Sequence, residues 1–503
     1  AVIEGGGKDN WIWFHIPVGY LFAIGNPRSD WMFKTEPDPG LNGRVLNYPR
    51  GKTIGGSSAI NAMIYMRGQA ADYDGWRQLG LNGWGWSDVL PLFKKQQDFF
   101  RGESELHGAG GEWRVDYPRT QWALLDAFID AAEQAGIPRS DDFNRGDNEG
   151  CGYFHVNQKN GRRWSAARGF LKPALNRPNL KLIANALVDK VTFDGERATG
   201  VEIIIAGERR TLKARRDVIL SAGAVATPAI LERSGVGSGE ALQRIGVEVR
   251  RESPGVGENL QDHLQLRAIF KVEGARTMNG DYKSLLKRAR MGLDYALFRR
   301  GPLTMAPSQL GAFTRTSSEF ATPNVQFHIQ PLSLDKFGDP LHPFDAFTVS
   351  VCNLRPESRG AIHARSANAS DAPKIDPHYL SAQRDREVAA DSILLARKIV
   401  AQPALAKYRP EEYKPGVEIS SREDLMRAAG DIGTTIFHPV GVAKMGLESD
   451  PFAVLDERLR LRGLSGLRVV DASVMPTITS GNTNTPTAMI AEKGAGFILQ
   501  DAR

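Results

Sequence analysis

Three short apolar runs, each closed by small residues, lie at the beginning, in the middle and near the end of this chain. They occupy residues 1–4, 217–223 and 467–472. Continuous β-branched runs that end in small residues are typical of strands buried on both faces of an α/β sheet. Because these pieces are so far apart in sequence, the chain must cross between its domains several times. The sequence therefore predicts interleaved domains.

The segments between these runs predict further helices and a second, antiparallel sheet. Helical patterns follow the second and third runs at residues 227–233 and 486–499. Apolar stretches separated by Asp-Gly and Ala-Gly turns indicate antiparallel strands at residues 179–183, 190–193, 200–205 and 210–213. A β-rich block follows at residues 264–351, interrupted by an amphipathic helix at 284–298. We expect one α/β domain and one α+β domain built on an antiparallel sheet.

The bulk composition fits a globular protein of two domains. The chain has 503 residues, which is too long for one simple core. Its net charge of +6 weakly favours acidic surfaces such as membrane headgroups, and no basic block argues for nucleic acid. Only Cys151 and Cys352 occur, so neither a disulfide framework nor a cysteine metal site is implied, and we expect no metal. This cysteine usage fits a reducing compartment, so we expect a cytoplasmic protein, with peripheral association with the inner membrane left open. No run approaches the roughly 18 apolar residues of a membrane span.

Residues 51–61 form a loop of closely spaced glycines and hydroxyls that suits a cofactor. Without Cβ atoms, the backbone N–H groups of such a loop can approach a phosphate or a flat ring. A purely structural turn before the amphipathic segment 60–67 explains the loop equally well. A nucleophile-elbow hydrolase is disfavoured, because Ala59 stands where that motif needs Gly.

An imidazole and a carboxamide lie in two Gly/Pro-punctuated turns near the end of the chain. His438 lies within residues 436–441, and Asn482 lies within residues 480–486. An imidazole can accept the proton of an alcohol hydroxyl, while a neutral amide holds the oxygen without competing for that proton. The pair therefore suits alcohol oxidation, provided that a hydride acceptor is present. A lone His is more often a satisfied core residue, and only the agreement of both segments favours catalysis.

Several dispersed motifs in a fixed order resemble the glucose–methanol–choline (GMC) family of FAD-dependent oxidoreductases. The resemblance covers the chain from end to end, and within the family it is strongest to bacterial alcohol and choline dehydrogenases. The motifs are the run 51–61 with Tyr65, Gly68 and Asp74, then 223–237, 254–263, and the His438 and Asn482 segments. The second motif departs from the family at Glu232, where an apolar residue is usual, so we expect that position to face water.

The resemblance implies FAD as cofactor and assigns residues to it. The implied contacts are Glu4, Ser57, Ser58, Asn61, Val188, Asp471, Ala472, Asn484 and Thr485. Some relatives attach FAD through a His before this Asn, but Ile60 stands there, so the resemblance implies non-covalent binding. The helix that begins near Pro486 would direct its positive end at the flavin edge that gains negative charge on reduction.

The family's first strand, Gly-x-Gly-x-x-Gly turn and helix are not found in this sequence. Residues 5–10 do not replace that turn, because its last position is Asn10 and Trp11-Ile12-Trp13 follows. The simplest interpretation is an FAD-binding Rossmann-like domain that is truncated at its N-terminus, in a fragment of a longer protein. A non-catalytic fragment unable to hold FAD therefore stays an alternative.

The implied reaction is oxidation of a primary alcohol to an aldehyde by hydride transfer to flavin N5. His438 would act as general base and Asn482 would steady the oxygen. Oxygen or a quinone-type carrier would reoxidise the flavin, and the oligomeric state stays open. Two activities of relatives remain as alternatives, a hydroxynitrile lyase and a light-driven fatty-acid decarboxylase. We expect residues 1–95, 180–263 and 430–503 in the FAD-binding domain, and 96–179 and 264–429 in the substrate domain.

The identity of the alcohol is not predicted by the sequence. We expect the substrate pocket within residues 264–365. Choline would require a carboxylate or an aromatic cage around its cation, and Asp281 or Asp335 are candidates for that carboxylate. The other histidines lack ligand spacing, and we expect His263, in a Gln-Asp-His turn, to be structural.

Overall fold

A computed structural model describes residues 1–335 and 339–502 of the chain. The α-helices are α1 (Tyr20–Ala23), α2 (Ala70–Gln78), α3 (Trp86–Gln96), α4 (Ala123–Gln134), α5 (Lys172–Ala174), α6 (Gly223–Arg233), α7 (Gly239–Arg244), α8 (Met278–Lys283), α9 (Leu285–Phe298), α10 (Gln383–Val400), α11 (Pro403–Ala406), α12 (Arg422–Ile432) and α13 (Asn484–Asp501). The strands of the first half are β1 (Val2–Ile3), β2 (Gln97–Phe99), β3 (Trp113–Val115), β4 (Gly150–Tyr153), β5 (Gln158–Lys159), β6 (Arg162–Arg163), β7 (Leu182–Ile183), β8 (Leu187–Asp194), β9 (Arg197–Ile205), β10 (Glu208–Lys213), β11 (Val218–Leu220), β12 (Val236–Gly237) and β13 (Arg251–Glu252). The remaining strands are β14 (Leu264–Lys271), β15 (Leu310–Thr314), β16 (Val325–Gln330), β17 (Ala346–Asn353), β18 (Ala361–His363), β19 (Lys374–Asp376), β20 (Glu411–Lys414), β21 (Gly433–Thr435) and β22 (Leu467–Val469).

The largest sheet is antiparallel and has seven strands in the order β20-β14-β17-β16-β15-β4, with β21 added beside β14. One face of this sheet packs against α4, α10 and α12. Val325, Phe327 and Ile329 of β16 lie on that face and are fully buried in the larger hydrophobic core. Because side chains alternate along a strand, Gln326 and His328 lie on the other face, and they too are buried. The predicted β-rich block is therefore an antiparallel sheet with one apolar and one polar buried face.

The three apolar runs form strands in two parallel pairs. β1 pairs with β7, and β11 pairs with β22. The two pairs share no hydrogen-bonded edge within the described residues. The expectation that all three runs are buried on both faces is wrong for two of them, since Val2 is 40% and Ile219 is 37% exposed. A strand that pairs on one edge only leaves part of its surface to solvent.

The helices and the smaller sheet follow the sequence pattern, with shifted ends. α6 begins at Gly223 and α13 at Asn484, earlier than the patterns at 227 and 486 predict. β8, β9 and β10 form the predicted antiparallel sheet. The stretch at 179–183 does not join it, because β7 pairs with β1 in parallel instead.

The strand β21 lies beyond the predicted domain boundary at residue 430. It is hydrogen-bonded to β14, with Leu264 opposite Thr435. The large sheet therefore reaches into the segment that carries His438. The domain boundaries given above stay a prediction.

Glu232 does not face water, and that expectation is wrong. Its side chain is about 1% exposed, and it accepts hydrogen bonds from the Nδ1 of His363 at 2.6 Å and the backbone N–H of Ala364 at 2.5 Å. Burial alone would lower the pKa of His363, but Glu232 and Glu258 outweigh it and raise that pKa to about 9. A buried carboxylate paired with a histidine therefore takes the place of an apolar contact between α6 and β18.

Within the described ranges, no helix combines the length and apolarity that a membrane crossing requires. The same ranges contain no group of three or more His, Cys, Asp or Glu side chains arranged to hold a metal ion. Cys151 and Cys352 are buried free thiols.

Candidate active site

The His438 segment is held in place by Asp262 and by an unusual backbone conformation. Phe437 has a φ of +71°, in the left-handed region that non-glycine residues rarely adopt. The backbone N–H of His438 donates to Oδ1 of Asp262 at 2.8 Å. The other oxygen of Asp262 accepts hydrogen bonds from the hydroxyls of Tyr48, Tyr379 and Thr435. This network fixes where the imidazole emerges from the chain.

The two residues predicted to be catalytic lie side by side. His438 Nε2 and Asn482 Nδ2 are 3.1 Å apart, and both residues are 7% exposed. Asn482 lies two residues before the start of α13. The backbone N–H groups of Gly441 and Ala443, at and just after the end of the His438 segment, donate to the carbonyls of residues 472 and 473. The structure thus brings together an imidazole and a carboxamide from two separate turns.

His263 determines which nitrogen of His438 is free to accept a proton. His263 Nε2 lies 3.1 Å from the carbonyl oxygen of Leu354 and therefore donates its proton there. In the neutral ring the Nδ1 of His263 is then an acceptor, and it lies 3.1 Å from Nδ1 of His438. His438 must donate from Nδ1, which leaves the lone pair on Nε2, facing Asn482. The tautomers of both histidines therefore follow from the hydrogen bond between His263 Nε2 and the carbonyl oxygen of Leu354.

Burial keeps both histidines neutral. Burial first, and then the neighbouring His263, His328 and Arg50, hold the pKa of His438 well below its usual range. Burial likewise lowers the pKa of His263 to about 4. A neutral imidazole is the form that can act as a base. At neutral pH His438 is therefore in the form that could accept a proton.

Gln326, on β16, orients the amide of Asn482. Its Nε2 donates to Oδ1 of Asn482 at 3.3 Å. With that oxygen occupied, the Asn482 amide presents its N–H groups toward His438. An alcohol oxygen that displaces this direct contact could donate to His438 and accept from Asn482.

The predicted cofactor residues at the start of the chain lie around one loop. Residues 4 to 7 run between the loop 51–54 and residues 185–186, with backbone hydrogen bonds on both sides. Glu4 follows β1, and its Oε1 accepts from the N–H of Gly6 at 2.6 Å. Val188 lies on β8, and its carbonyl accepts from Arg233 at 3.5 Å. Glu4, Val188 and the glycine-rich loop thus lie in neighbouring segments.

Ser57, Ser58 and Asn61 are already engaged by the protein. Ser57 Oγ accepts from the N–H of Gly51, and Ser58 Oγ donates to the carbonyl of Gly55. Asn61 Oδ1 accepts from the N–H of Met63 and from Arg163. The loop contains a short 3-10 helix, Gly56–Ala59. Its side chains therefore stabilise the loop, and contacts to a cofactor would have to use the remaining donors.

The C-terminal cofactor residues behave in two ways. Asp471 is saturated, because its carboxylate accepts from Gly223, Thr227 and both donors of Ser473. Ala472 begins the 3-10 helix Ala472–Val474 and is partly buried. Asn484 and Thr485 open α13, whose first N–H groups point along the helix axis away from the helix. The carboxylate of Asp471 therefore holds neighbouring segments together. The start of α13 has backbone N–H groups that could donate hydrogen bonds to a ligand.

The described residues fit FAD on three counts. Thr485 Oγ1 is buried and has no hydrogen-bond partner among the described residues, so it is available to a ligand. Glu4 is buried enough that its pKa rises to about 7, and hydroxyl donors such as those of a ribose would relieve that cost. Gly55 and Gly56 have φ values of +90° and +52°, which bring the backbone close to any neighbour.

Sequence reasoning missed the residues that orient the pair. His263 was expected to be structural, yet it contacts His438 directly. Asp262 and Gln326 were not singled out at all. The Gln261-Asp262-His263 turn carried the only sequence signal, as three polar residues in a motif next to a strand. Nothing in the sequence indicates that this turn lies against a segment 175 residues away.

Comparison with known proteins shows the family of the chain. Sequence profiles of the GMC oxidoreductase family match residues 1–265 and 356–491. The chain belongs to the GMC oxidoreductase family. An alcohol dehydrogenase [acceptor] of Pseudomonas putida is 40% identical over 504 residues, which cover 99% of this chain and 91% of that protein. An oxygen-dependent choline dehydrogenase of Vibrio vulnificus (strain YJ016) is 38% identical over 500 residues, covering 99% of this chain and 89% of that protein.

Solved structures show the same fold over the whole chain. Pyridoxine 4-oxidase from Mesorbium loti superposes with a TM-score of 0.89 at 30% identity, covering 99% of this chain and 94% of that one. The formate oxidase of Aspergillus oryzae RIB40 superposes with a TM-score of 0.92 at 23% identity, covering 99% and 93% of the two chains, and that likeness shows the fold alone. As a GMC oxidoreductase, the chain is an FAD-dependent enzyme that acts on CH–OH donors. The predicted family, fold class and cofactor are confirmed.

Proposed function

We propose that this GMC oxidoreductase oxidises a primary alcohol to an aldehyde, with His438 as the general base. The observation that carries the proposal is the 3.1 Å contact between Nε2 of His438 and Nδ2 of Asn482. The inferred tautomer leaves the lone pair of His438 on that nitrogen. The alcohol donates its hydroxyl proton to that nitrogen. Asn482 donates a hydrogen bond to the oxygen as negative charge develops on it, the arrangement that stabilises oxyanions elsewhere.

The chain's own residues prepare this step before any substrate arrives. Asp262 fixes the backbone of His438, His263 fixes its tautomer and Gln326 fixes the amide of Asn482. Such preorganisation lowers the reorganisation needed during reaction. FAD, when bound, supplies the acceptor for the hydride that leaves the substrate carbon.

We infer that FAD is held non-covalently, because Ile60 offers no side chain that could bond to the flavin. Glu4, Ser57, Ser58, Asn61, Val188, Asp471, Ala472, Asn484 and Thr485 stay the proposed contacts. Denaturation of FAD-loaded protein should release all of the flavin into the filtrate. Flavin retained on the unfolded chain would contradict this inference.

The first experiment is a panel of primary alcohols supplied to FAD-loaded protein in the dark. One series contains oxygen and the other contains an artificial electron acceptor. Aldehyde formed in the dark with reduction of the acceptor supports the proposal and separates it from a lyase and from a light-driven decarboxylase. Turnover in only one series identifies the acceptor class, oxygen or a quinone-type carrier. A chain that binds no FAD would support the non-catalytic alternative.

A second proposal concerns where the enzyme works, and it comes from α9. This helix exposes an apolar stripe, because only Met291 and Tyr295 are buried. The exposed apolar side chains along it are Leu285 (76%), Leu286 (81%), Leu293 (60%), Leu297 (63%) and Phe298 (57%). Exposed apolar patches of this kind mark contact sites. The predicted amphipathic helix is therefore present, but its apolar stripe faces outward.

The charge around α9 supports a membrane as the partner. Residues 276–300 contain seven Lys and Arg against two Asp, a net charge of +5 in a chain whose total is +6. A helix with outward leucines and flanking cations suits the surface of an anionic bilayer, where apolar side chains enter the headgroup region. We infer that α9 docks on anionic phospholipid.

Vesicle flotation tests the docking helix. Wild-type protein should float with vesicles that contain anionic phosphatidylglycerol and should not float with neutral phosphatidylcholine vesicles. Leu286→Glu should abolish flotation, whereas the matched control Leu499→Glu, at a leucine that is 67% exposed at the end of α13, should not. If Leu286→Glu instead splits a dimer in sedimentation and leaves flotation intact, the stripe contacts a second copy and the membrane proposal is wrong.

A further inference from the structure

The polar face of the large sheet carries buried groups that the proposed reaction does not use. Gln326, His328 and Gln330 alternate along β16, and Ser350 of β17 lies opposite His328. Gln309 precedes β15 on the same side as Gln330. All five are at most 2% exposed. This set is called the polar sheet face below.

Many buried polar atoms of the polar sheet face lack a hydrogen-bond partner among the described residues. Among the described residues, the Oε1 atoms of Gln309, Gln326 and Gln330 have no hydrogen-bond partner. The same holds for Ser350 Oγ and for both ring nitrogens of His328. Native proteins rarely leave buried polar atoms unsatisfied, and a concentration of them in one place indicates a binding site for water or a ligand.

The polar sheet face is continuous with the candidate active site. Gln326 belongs to both, because its Nε2 contacts Asn482 while its Oε1 is unsatisfied. His328 lies close enough to His438 to lower its pKa. An alcohol bound between His438 and Asn482 would therefore extend its remaining atoms along β16.

Positive charge borders the same region. Arg267 lies opposite Ser350 across the sheet and is 5% exposed. Burial lowers its pKa to about 10, with Tyr20 and Asp335 opposing that shift, so it stays charged at neutral pH. Arg163, also buried, donates to Asn61 at 2.8 Å and interacts with Tyr20 as well. Both buried cations therefore lie near Tyr20, and Arg267 borders the polar sheet face.

The two carboxylates considered for a choline site are occupied. Asp281 is paired with Arg276 and Lys287. Asp335 is paired with Lys414 and His342, and its side chain is 51% exposed. Neither acid is left to neutralise a substrate cation. A quaternary ammonium group also neither donates nor accepts hydrogen bonds, so it would satisfy none of the atoms on the polar sheet face.

We propose that the polar sheet face receives the far end of the substrate, and that the substrate is a primary alcohol with further hydroxyl groups, a diol or polyol. This inference rests on the proposed alcohol oxidation. A hydroxyl donates to the glutamine oxygens and accepts from Ser350 or His328, so it matches the mixed set of groups. A carboxylate only accepts, and an alkyl chain does neither. A site with buried hydrogen-bonding groups discriminates against analogues that leave them unpaired.

Two matched pairs of alcohols test the substrate class with FAD-loaded enzyme. 1,5-Pentanediol and 1-pentanol differ by one distal hydroxyl, and we expect at least a tenfold higher kcat/KM for the diol. Choline and 3,3-dimethyl-1-butanol share a shape and differ in charge, and we expect at least a tenfold higher kcat/KM for the neutral alcohol. A readout independent of turnover is thermal unfolding, in which the diol should raise Tm more than 1-pentanol does at equal concentration.

Two variants test whether the polar sheet face causes the preference for the diol over 1-pentanol. Gln330→Leu and the milder Ser350→Ala should each narrow the diol-to-pentanol ratio by about threefold or more. Gln402→Leu, in the helical layer over the opposite face of the sheet, is the matched control and should leave the ratio unchanged.

The outcomes separate this inference from the proposed function. If none of the four alcohols reduces bound flavin, the proposed alcohol oxidation is wrong, and the substrate class is wrong with it. If they do so but 1-pentanol equals the diol, or choline equals its neutral isostere, the substrate class alone is wrong and water occupies the polar sheet face. A ratio in Gln330→Leu and Ser350→Ala equal to that of the wild type would also overturn it.

Discussion

The cluster around His438 and the helix α9 depart from the usual burial pattern in opposite directions. Around His438, polar side chains are buried and hold one another through the chain His263, His438, Asn482 and Gln326. On α9, most of the surface of four leucines is exposed to solvent. Buried polar groups and exposed apolar patches are the informative exceptions in a globular protein. We propose that the first exception serves the reaction inside the molecule and that the second serves contact with a membrane surface.

Replacing Asn482 should produce a very large loss of activity, because the oxygen of the alcohol then has no donor. Asn482→Leu keeps the approximate volume and removes the amide. We expect kcat/KM to fall by about 10²–10³, the range seen when one oxyanion donor is removed. The measurement is kcat/KM with a fixed primary alcohol. A loss below about tenfold would indicate that the amide does not contact the reacting oxygen.

Replacing His263 should reduce kcat/KM less than replacing Asn482 does, because His263 contacts His438 and not the substrate. In His263→Leu the Nδ1–H of His438 loses its acceptor, and the proton can move to Nε2, which removes the base. A buried unsatisfied donor costs about 1–3 kcal/mol, so we expect kcat/KM to fall by about tenfold or more. His263→Gln, whose carbonyl can accept the same hydrogen bond, should recover part of the loss. Equal activity in the Leu and Gln variants would show that the tautomer is not what His263 controls.

The pH dependence of activity follows from the lowered pKa of His438. The base must be neutral, and burial together with His263 and His328 holds its pKa well below 6.5. As pH falls through 6.5, His438 therefore stays neutral and kcat/KM should stay level. Activity should drop only at a more acidic pH. An acid limb at or above 6.5, in a protein shown to remain folded, would contradict this assignment.

The sequence predicted some features of these two regions, and each feature that it did not predict has its own physical reason. The proximity of His438 and Asn482 was anticipated from two motifs and not from any local pattern. His263 was taken for a structural residue, because a role that depends on a contact across 175 residues leaves no periodicity to find. Glu232 was expected to face water, because polarity alone cannot reveal a buried partner such as His363.

The helix α9 shows a second limit of prediction from sequence. Its 3.6-residue periodicity predicted a helix at 284–298, and the structure has one at Leu285–Phe298. Periodicity identifies an apolar stripe but not the medium that covers it. The sheet is similar, since alternation predicted strands within 264–351 but not that both faces would be buried.

A substitution on α9 should have the smallest effect on activity. This result would sharpen the contrast between α9 and the cluster around His438. Leu286→Glu should change kcat/KM for a water-soluble alcohol by less than about twofold, because an exposed side chain away from special features contributes little to the folded core. Steady-state assays without vesicles provide this measurement. A loss as large as that of His263→Leu would mean that α9 is coupled to the active site.

The central claim is that Nε2 of His438 takes the alcohol proton, and anaerobic flavin reduction tests it most directly. FAD-loaded wild-type protein and His438→Ala are mixed with a primary alcohol, and the loss of oxidised-flavin absorbance is followed. General-base catalysis contributes about 10²–10⁴ in rate, so the variant should bleach at least about a hundredfold more slowly. An unchanged rate in His438→Ala, with FAD still bound, would contradict the account.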